Sequence, residues 1–104
     1  MGLGVPLRES DSVLRGSMLK ITRATNGQVV FTLSGRMDLE NIEEFSSLLK
    51  SEAKGSRLVL DLKDLMLVDR NAVSFLARCE AESIEIRNCP PYIREWINRQ
   101  TREN

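Results

Sequence analysis

Histidine is absent from the 104 residues. With it go the commonest general base and the commonest metal ligand. Cysteine is scarce: Cys79 and Cys89 stand ten apart with no CxxC spacing. Two cysteines make no disulfide framework, so both read as buried free thiols in a reducing compartment. Aromatic residues are 5% of the chain. Tyr92 and Trp96 stand at helical spacing and read as core rather than as a base-stacking platform. No apolar run approaches the length of a membrane span, and the N-terminus has no signal-peptide core. Pro6 stands where a myristoylation motif wants Ser or Thr. Fifteen basic residues balance fifteen acidic ones, and zero net charge points to neither nucleic acid nor anionic membrane. The expectation is a cytoplasmic protein with no cofactor.

What is present fits one small domain with one core. Residues 1–17 carry Gly, Pro, Ser and scattered charge without a period. They read as a disordered leader or an expression remnant, with Met18 a possible native start and 18–104 the domain. Leu19 to Thr22 alternates apolar and polar as a half-buried strand does. Asn26-Gly27 is a hairpin signal, because both residues tolerate positive φ. Val29 to Ser34 is the returning strand, and Gly35 to Asp38 reads as its break. A helix follows. Asn41 with Glu44 resembles a capping box, and Asp38 competes as N-cap. Ile42, Phe45, Leu48 and Leu49 form its inner face, and Gly55 reads as its stop.

Leu58 to Leu62 is a nearly continuous apolar strand. Leu65 to Val68 reads as a connector over the sheet edge, leading to Asp69 as N-cap of a second helix. Ala72, Val73, Leu76 and Ala77 are its inner stripe. That helix is short, because Ser83 to Ile86 alternates again. Pro90-Pro91 opens a last helix, where a missing N–H costs nothing. Tyr92 or Ile93, Trp96 and Ile97 are its apolar face, and residues from Gln100 on should fray. The order is β-β-α-β-α-β-α. Right-handed crossovers make the last three strands parallel and the first antiparallel. The expectation is a two-layer α/β fold: a small mixed four-stranded sheet with an N-terminal hairpin and helices mainly on one face. Lys20, Thr22, Val30, Thr32, Val59 and Asp61 then line the other face.

The chemistry is thin. Asp69 reads first as a helix cap worth about 1 kcal/mol, and second as a recognition position on an exposed helix end. Asp61, Asp64 and Asp69 are a weak magnesium set, with no glycine loop to bring a phosphate. Ser34, Ser46, Ser47 and Ser74 have no evident base beside them, so an enzyme is not expected.

Leu33-Ser34-Gly35-Arg36-Met37-Asp38, then Leu58-Val59-Leu60-Asp61-Leu62, then Leu67-Val68-Asp69 at the start of a helix together resemble the STAS domain, the family of bacterial anti-sigma-factor antagonists. The resemblance covers about Met18 to Arg99. It implies partner switching in bacterial transcription or stress signalling: a kinase-type anti-sigma factor phosphorylates a Ser that follows the Asp, and the added charge blocks docking. Here Arg70, Asn71 and Ala72 stand where the family has Ser, Ser or Thr, and Gly. Asp69 carries over and the phospho-acceptor does not. The resemblance therefore implies a module that binds its partner constitutively, an anti-sigma factor or another STAS protein. Arg36, Asp38, Asp64, Asp69, Arg70 and Asn71 are the expected contact residues. The alternatives are a homo-oligomerising subunit, using Val30 and Val59 or the first edge strand, and a nucleotide or small-molecule binder at the helix start near Asp69.

Overall fold

The structure, a computed structural model, describes residues 10–13 and 18–103, with side chains over 18–100. The elements run β1 (Ser10–Val13), β2 (Leu19–Thr25), β3 (Val29–Met37), α1 (Leu39–Lys50), β4 (Leu58–Val68), α2 (Arg70–Ala81), β5 (Glu85–Arg87) and α3 (Pro91–Glu103). The strands lie side by side in chain order. β2 and β3 form the expected antiparallel hairpin, and β3, β4 and β5 are parallel. The four strands and three helices expected from the pattern are all present in that order.

The sheet has a fifth strand. Ser10–Val13 lies within the expected disordered leader, but it pairs antiparallel with β2. Its sequence, Ser-Asp-Ser-Val, has no apolar alternation to announce a strand. The pairing follows from the ladder: an uncovered β2 presents a row of backbone N–H and C=O groups that template a neighbour. The strand expected to be the open edge is therefore covered. The rest of the expected leader lies outside the described residues.

Alternation places Leu19 and Ile21 of β2 and Val29, Phe31, Leu33 and Met37 of β3 on one face. Leu60, Leu62 and Leu65 of β4 join them, and all three helices close over that face in a single core. Phe45 of α1 sits at the centre, edge-on to Phe31 at 5.6 Å and to Phe75 of α2 at 5.8 Å between ring centroids. Ile93 and Ile97 of α3 are fully buried in the same core. The opposite face carries Val30, Thr32 and Ser34. Val59 lies there too, aligned with Val30 on one side and Glu85 on the other. It is fully buried within the chain itself, so the Val30–Val59 pair offers little apolar surface to a second copy.

Five local readings are corrected. Gly35 does not end β3, which runs on to Met37. Gly35 adopts φ +95° where the Met18 carbonyl oxygen approaches, and a Cβ there would collide with that oxygen. Glycine is what lets the strand continue past this approach. Leu65 to Val68 is not a connector but the end of β4. The β3–β4 register slips by one residue between Thr32 and Ser34 and again between Gly35 and Arg36. Each slip is a bulge in β4 that breaks the period of two. Asn41 does not cap α1: Asp38 does, and Asn41 is its reciprocal partner. α1 also ends at Ser51, whose hydroxyl donates to the Leu48 carbonyl at 2.8 Å, before Gly55 is reached. At the far end of the chain α3 stays helical to Glu103, past the expected fraying point.

Candidate functional site

Parallel strands β3 and β4 end together, and each feeds straight into a helix. Asp69 stands between β4 and α2 with extended backbone. One of its carboxylate oxygens accepts the Ala72 N–H at 2.8 Å, in the first turn of α2. The other accepts the Leu39 N–H at 3.3 Å, in the first turn of α1. Its own N–H donates to the Met37 carbonyl at 3.2 Å. One carboxylate thus satisfies orphan donors of two helices and ties the two strand ends together. Its charge is favourable beside both helix N-termini.

Asp38 caps α1 next to it. Its Oδ1 accepts the Glu40 N–H at 3.1 Å. The buried Asn41 side chain closes the box by accepting the Asp38 N–H at 3.1 Å, and its amide donates to the Arg36 carbonyl at 3.2 Å. Arg36 swings back to the Asp38 carboxylate at 3.5 Å. Arg70 and Asn71 are exposed on the first turn of α2. Among the described residues Arg70 makes no ion pair. Five of the six expected residues, Arg36, Asp38, Asp69, Arg70 and Asn71, therefore meet at one end of the sheet. Asp64 does not join them as closely: it lies one bulge back along β4, opposite Ser34. Asp61 is further away in the strand and occupied locally, accepting the Lys63 N–H at 3.1 Å and the Asn88 amide at 3.2 Å. The expected Asp61, Asp64 and Asp69 set is not gathered, and no group of three or more metal-ligating side chains forms among the described residues.

Sequence reasoning missed the apolar part of this end. Met18 is 69% exposed, Met66 70% and Leu67 58%. With Gly35 and Arg36 they line a cavity of about 350 Å³. The bulge between Gly35 and Arg36 turns both Met66 and Leu67 outward, where strict alternation would have buried one of them. Leu39 and Tyr92 are also exposed large side chains. The Leu39 N–H is the one bound by Asp69, and the Tyr92 hydroxyl donates to the Met66 carbonyl. Of the two residues that the spacing offers for the inner face of α3, Ile93 is fully buried, and Tyr92, expected in the core, is 49% exposed at the rim. The signal available in sequence was the run Leu65-Met66-Leu67-Val68, too long in apolar residues for a connector that faces water.

The cysteines lie elsewhere. Burial pushes the Cys79 thiol up from 9.0 to about 12, and burial also raises that of Cys89. Neither is an activated nucleophile. The hydrogen bonds to Glu80 raise the Arg94 pKa and those to Glu52 raise that of Arg23; the first pair clamps α3 to α2, and the second ties β2 to the turn after α1. No helix among the described residues is long and apolar enough to cross a membrane.

No curated protein matches the chain. A family model described as "Mlab, STAS domain" matches residues 21–101, from inside β2 into the last turn of α3. The match spans the hairpin, both strand exits and all three helices, and the chain belongs to the STAS domain family.

Proposed function

We propose that this domain is a non-catalytic protein-interaction module. It binds a regulatory partner, an anti-sigma factor or another STAS protein, at the end of the sheet where β3 and β4 feed α1 and α2. One observation carries the reading. Among the described residues the exposed large apolar side chains are Met18, Leu39, Met66, Leu67 and Tyr92, and all five gather at that end. Scattered exposed apolar residues need no explanation, but a gathered patch with a polar rim marks an interaction site. Arg36, Asp38, Arg70 and Asn71 supply the rim. Methionine suits the role, because its flexible side chain adapts to a partner's shape.

Arg70 removes the charge toggle. A serine at the start of α2 gains roughly two negative charges on phosphorylation; Arg70 holds a fixed positive charge at any physiological pH. Docking here is constitutive. The test is affinity capture from host lysate with three baits: the wild-type chain, Arg70→Glu and Met66→Asp. An anti-sigma factor or STAS protein retained by wild type and lost from both variants is the expected result. The same proteins retained equally by all three baits would remove the reading.

A further inference from the structure

α2 and α3 run antiparallel. Arg94, early in α3, pairs with Glu80, late in α2, at 2.9 Å. At the other end the Ser74 hydroxyl of α2 donates to Gln100 Oε1 of α3 at 3.2 Å. This arrangement brings the end of α3 beside the start of α2. Between them lies a groove of about 400 Å³ lined by Arg70, Trp96, Arg99 and Gln100. Two guanidiniums from different helices meet there, with no carboxylate among the described lining residues. Arg99 is tethered by Glu95, one turn back on its own helix, at 3.2 Å, with side chains 63% and 70% exposed. Such a pair is worth little in water and yields readily to a better-placed carboxylate. Gln100 spends its carbonyl on Ser74, which leaves its amide to donate. Trp96 is half-buried against the core, so its ring is a fixed wall beside the two cations.

We infer that this groove docks an acidic segment of a protein partner, its Asp or Glu side chains taken by Arg70 and Arg99 and its backbone lying against Trp96. The inference rests on the interaction-module reading and names the chemistry of the partner beside the apolar patch. Where a phosphoserine would put negative charge on the domain and repel, Arg70 puts positive charge, and the partner supplies the negative. Planar guanidiniums favour carboxylates held bidentately. The groove is open and its cations come from separate elements, which suits an extended segment over a single small anion. The zero net charge of the chain argues against nucleic acid.

The chain has one tryptophan, and it lines this groove, so its fluorescence reports occupancy. The purified full chain is titrated with a hexaglutamate peptide at low ionic strength. The expected result is a saturable change in Trp96 emission, weakened about fivefold in Arg70→Gln and in Arg99→Gln. In the double variant it is lost, while the far-UV circular dichroism and urea midpoint stay as in wild type. High salt abolishes it. No saturable change in the wild type overturns the inference, as does a double variant that responds like wild type. Inorganic phosphate giving the same change at matched charge would make this a bare anion site instead, and an oligothymidylate displacing the peptide would make it a nucleic-acid site. A failed titration beside capture that Met66→Asp abolishes would sink this inference and spare the interaction module. The reverse pattern would sink the module and leave an acidic-peptide groove.

Discussion

The two ends of the sheet are built from the same strands and do opposite things. At one end lie the turns Asn26 to Gln28 and Glu52 to Arg57. Gly27 and Gly55 adopt positive φ there with nothing within 4 Å of a would-be Cβ. These turns are polar and loosely packed, and no exposed large apolar side chain occurs in them among the described residues. At the other end Gly35 is pressed against the Met18 carbonyl, Asp69 ties two helices together, and five large apolar side chains face water. Loose turns only reverse the chain. The tight end spends a glycine, two bulges and a shared carboxylate to hold apolar surface outward, which is costly unless something covers it. In open α/β sheets the carboxyl ends of parallel strands are where ligands bind, and the proposed interaction surface lies at that end.

The sharpest way to break this contrast is to put a side chain on a glycine at each end. Gly35→Ala combines positive φ with a collision against the Met18 carbonyl, and should cost at least about 2 kcal/mol in urea unfolding. Gly27→Ala has the same backbone penalty in open space and should cost about 1 kcal/mol. Equal costs would mean that the tight end is not tight. Next comes Asp69. Asp69→Ala removes acceptors from two helix starts and should lose about 1–2 kcal/mol, whereas Asp69→Asn keeps one acceptor for the Ala72 N–H but turns an NH2 donor toward the Leu39 N–H, and should lose about 1 kcal/mol. If asparagine costs only a few tenths, the bond to the Leu39 N–H carries little of the stability and Asp69 acts as the cap of α2 alone.

Smaller effects come from sites away from both ends. Cys79 keeps its proton in the fold more tightly than when unfolded, so the stabilisation it gives is complete below pH 9.0 and lost as pH rises toward about 12. The wild-type urea midpoint should therefore fall more steeply across that window than that of Cys79→Ala. Alkylation at pH 8 should modify the half-buried Cys89 slowly and Cys79 only after unfolding. Met66→Asp should leave the urea midpoint nearly unchanged, within about 0.5 kcal/mol, since its side chain already faces water.

The fold was legible where periodicity was clean. β2 and β3 alternate, α1 and α2 carry apolar stripes, and Pro90-Pro91 marks the start of α3. It was hidden wherever the backbone, not the side-chain pattern, decides. β1 is a strand because β2 has a free edge. Gly35 reads as a break because a break and a close approach ask for the same residue. Leu65 to Val68 reads as a connector because two bulges remove the alternation. At the site Asp69 was legible as an Asx residue before a helix, though its second bond, to Leu39, depends on β3 and β4 ending together. The patch of Met18, Met66 and Leu67 was missed for the same reason as the bulges that expose it. The α2–α3 groove is hidden in the sequence because the spacing of Trp96 reads as core, and its partners Arg70 and Arg99 come together only through the antiparallel pairing of two helices.

The most direct test of the central claim is amide hydrogen–deuterium exchange on the domain alone and with the protein it captures from lysate. The account predicts added protection over residues 36–39 and 66–71, at the tight end, and unchanged exchange over 26–28 and 53–57. Protection confined to the loose turns, or to the open face around Val30 and Thr32, would contradict it.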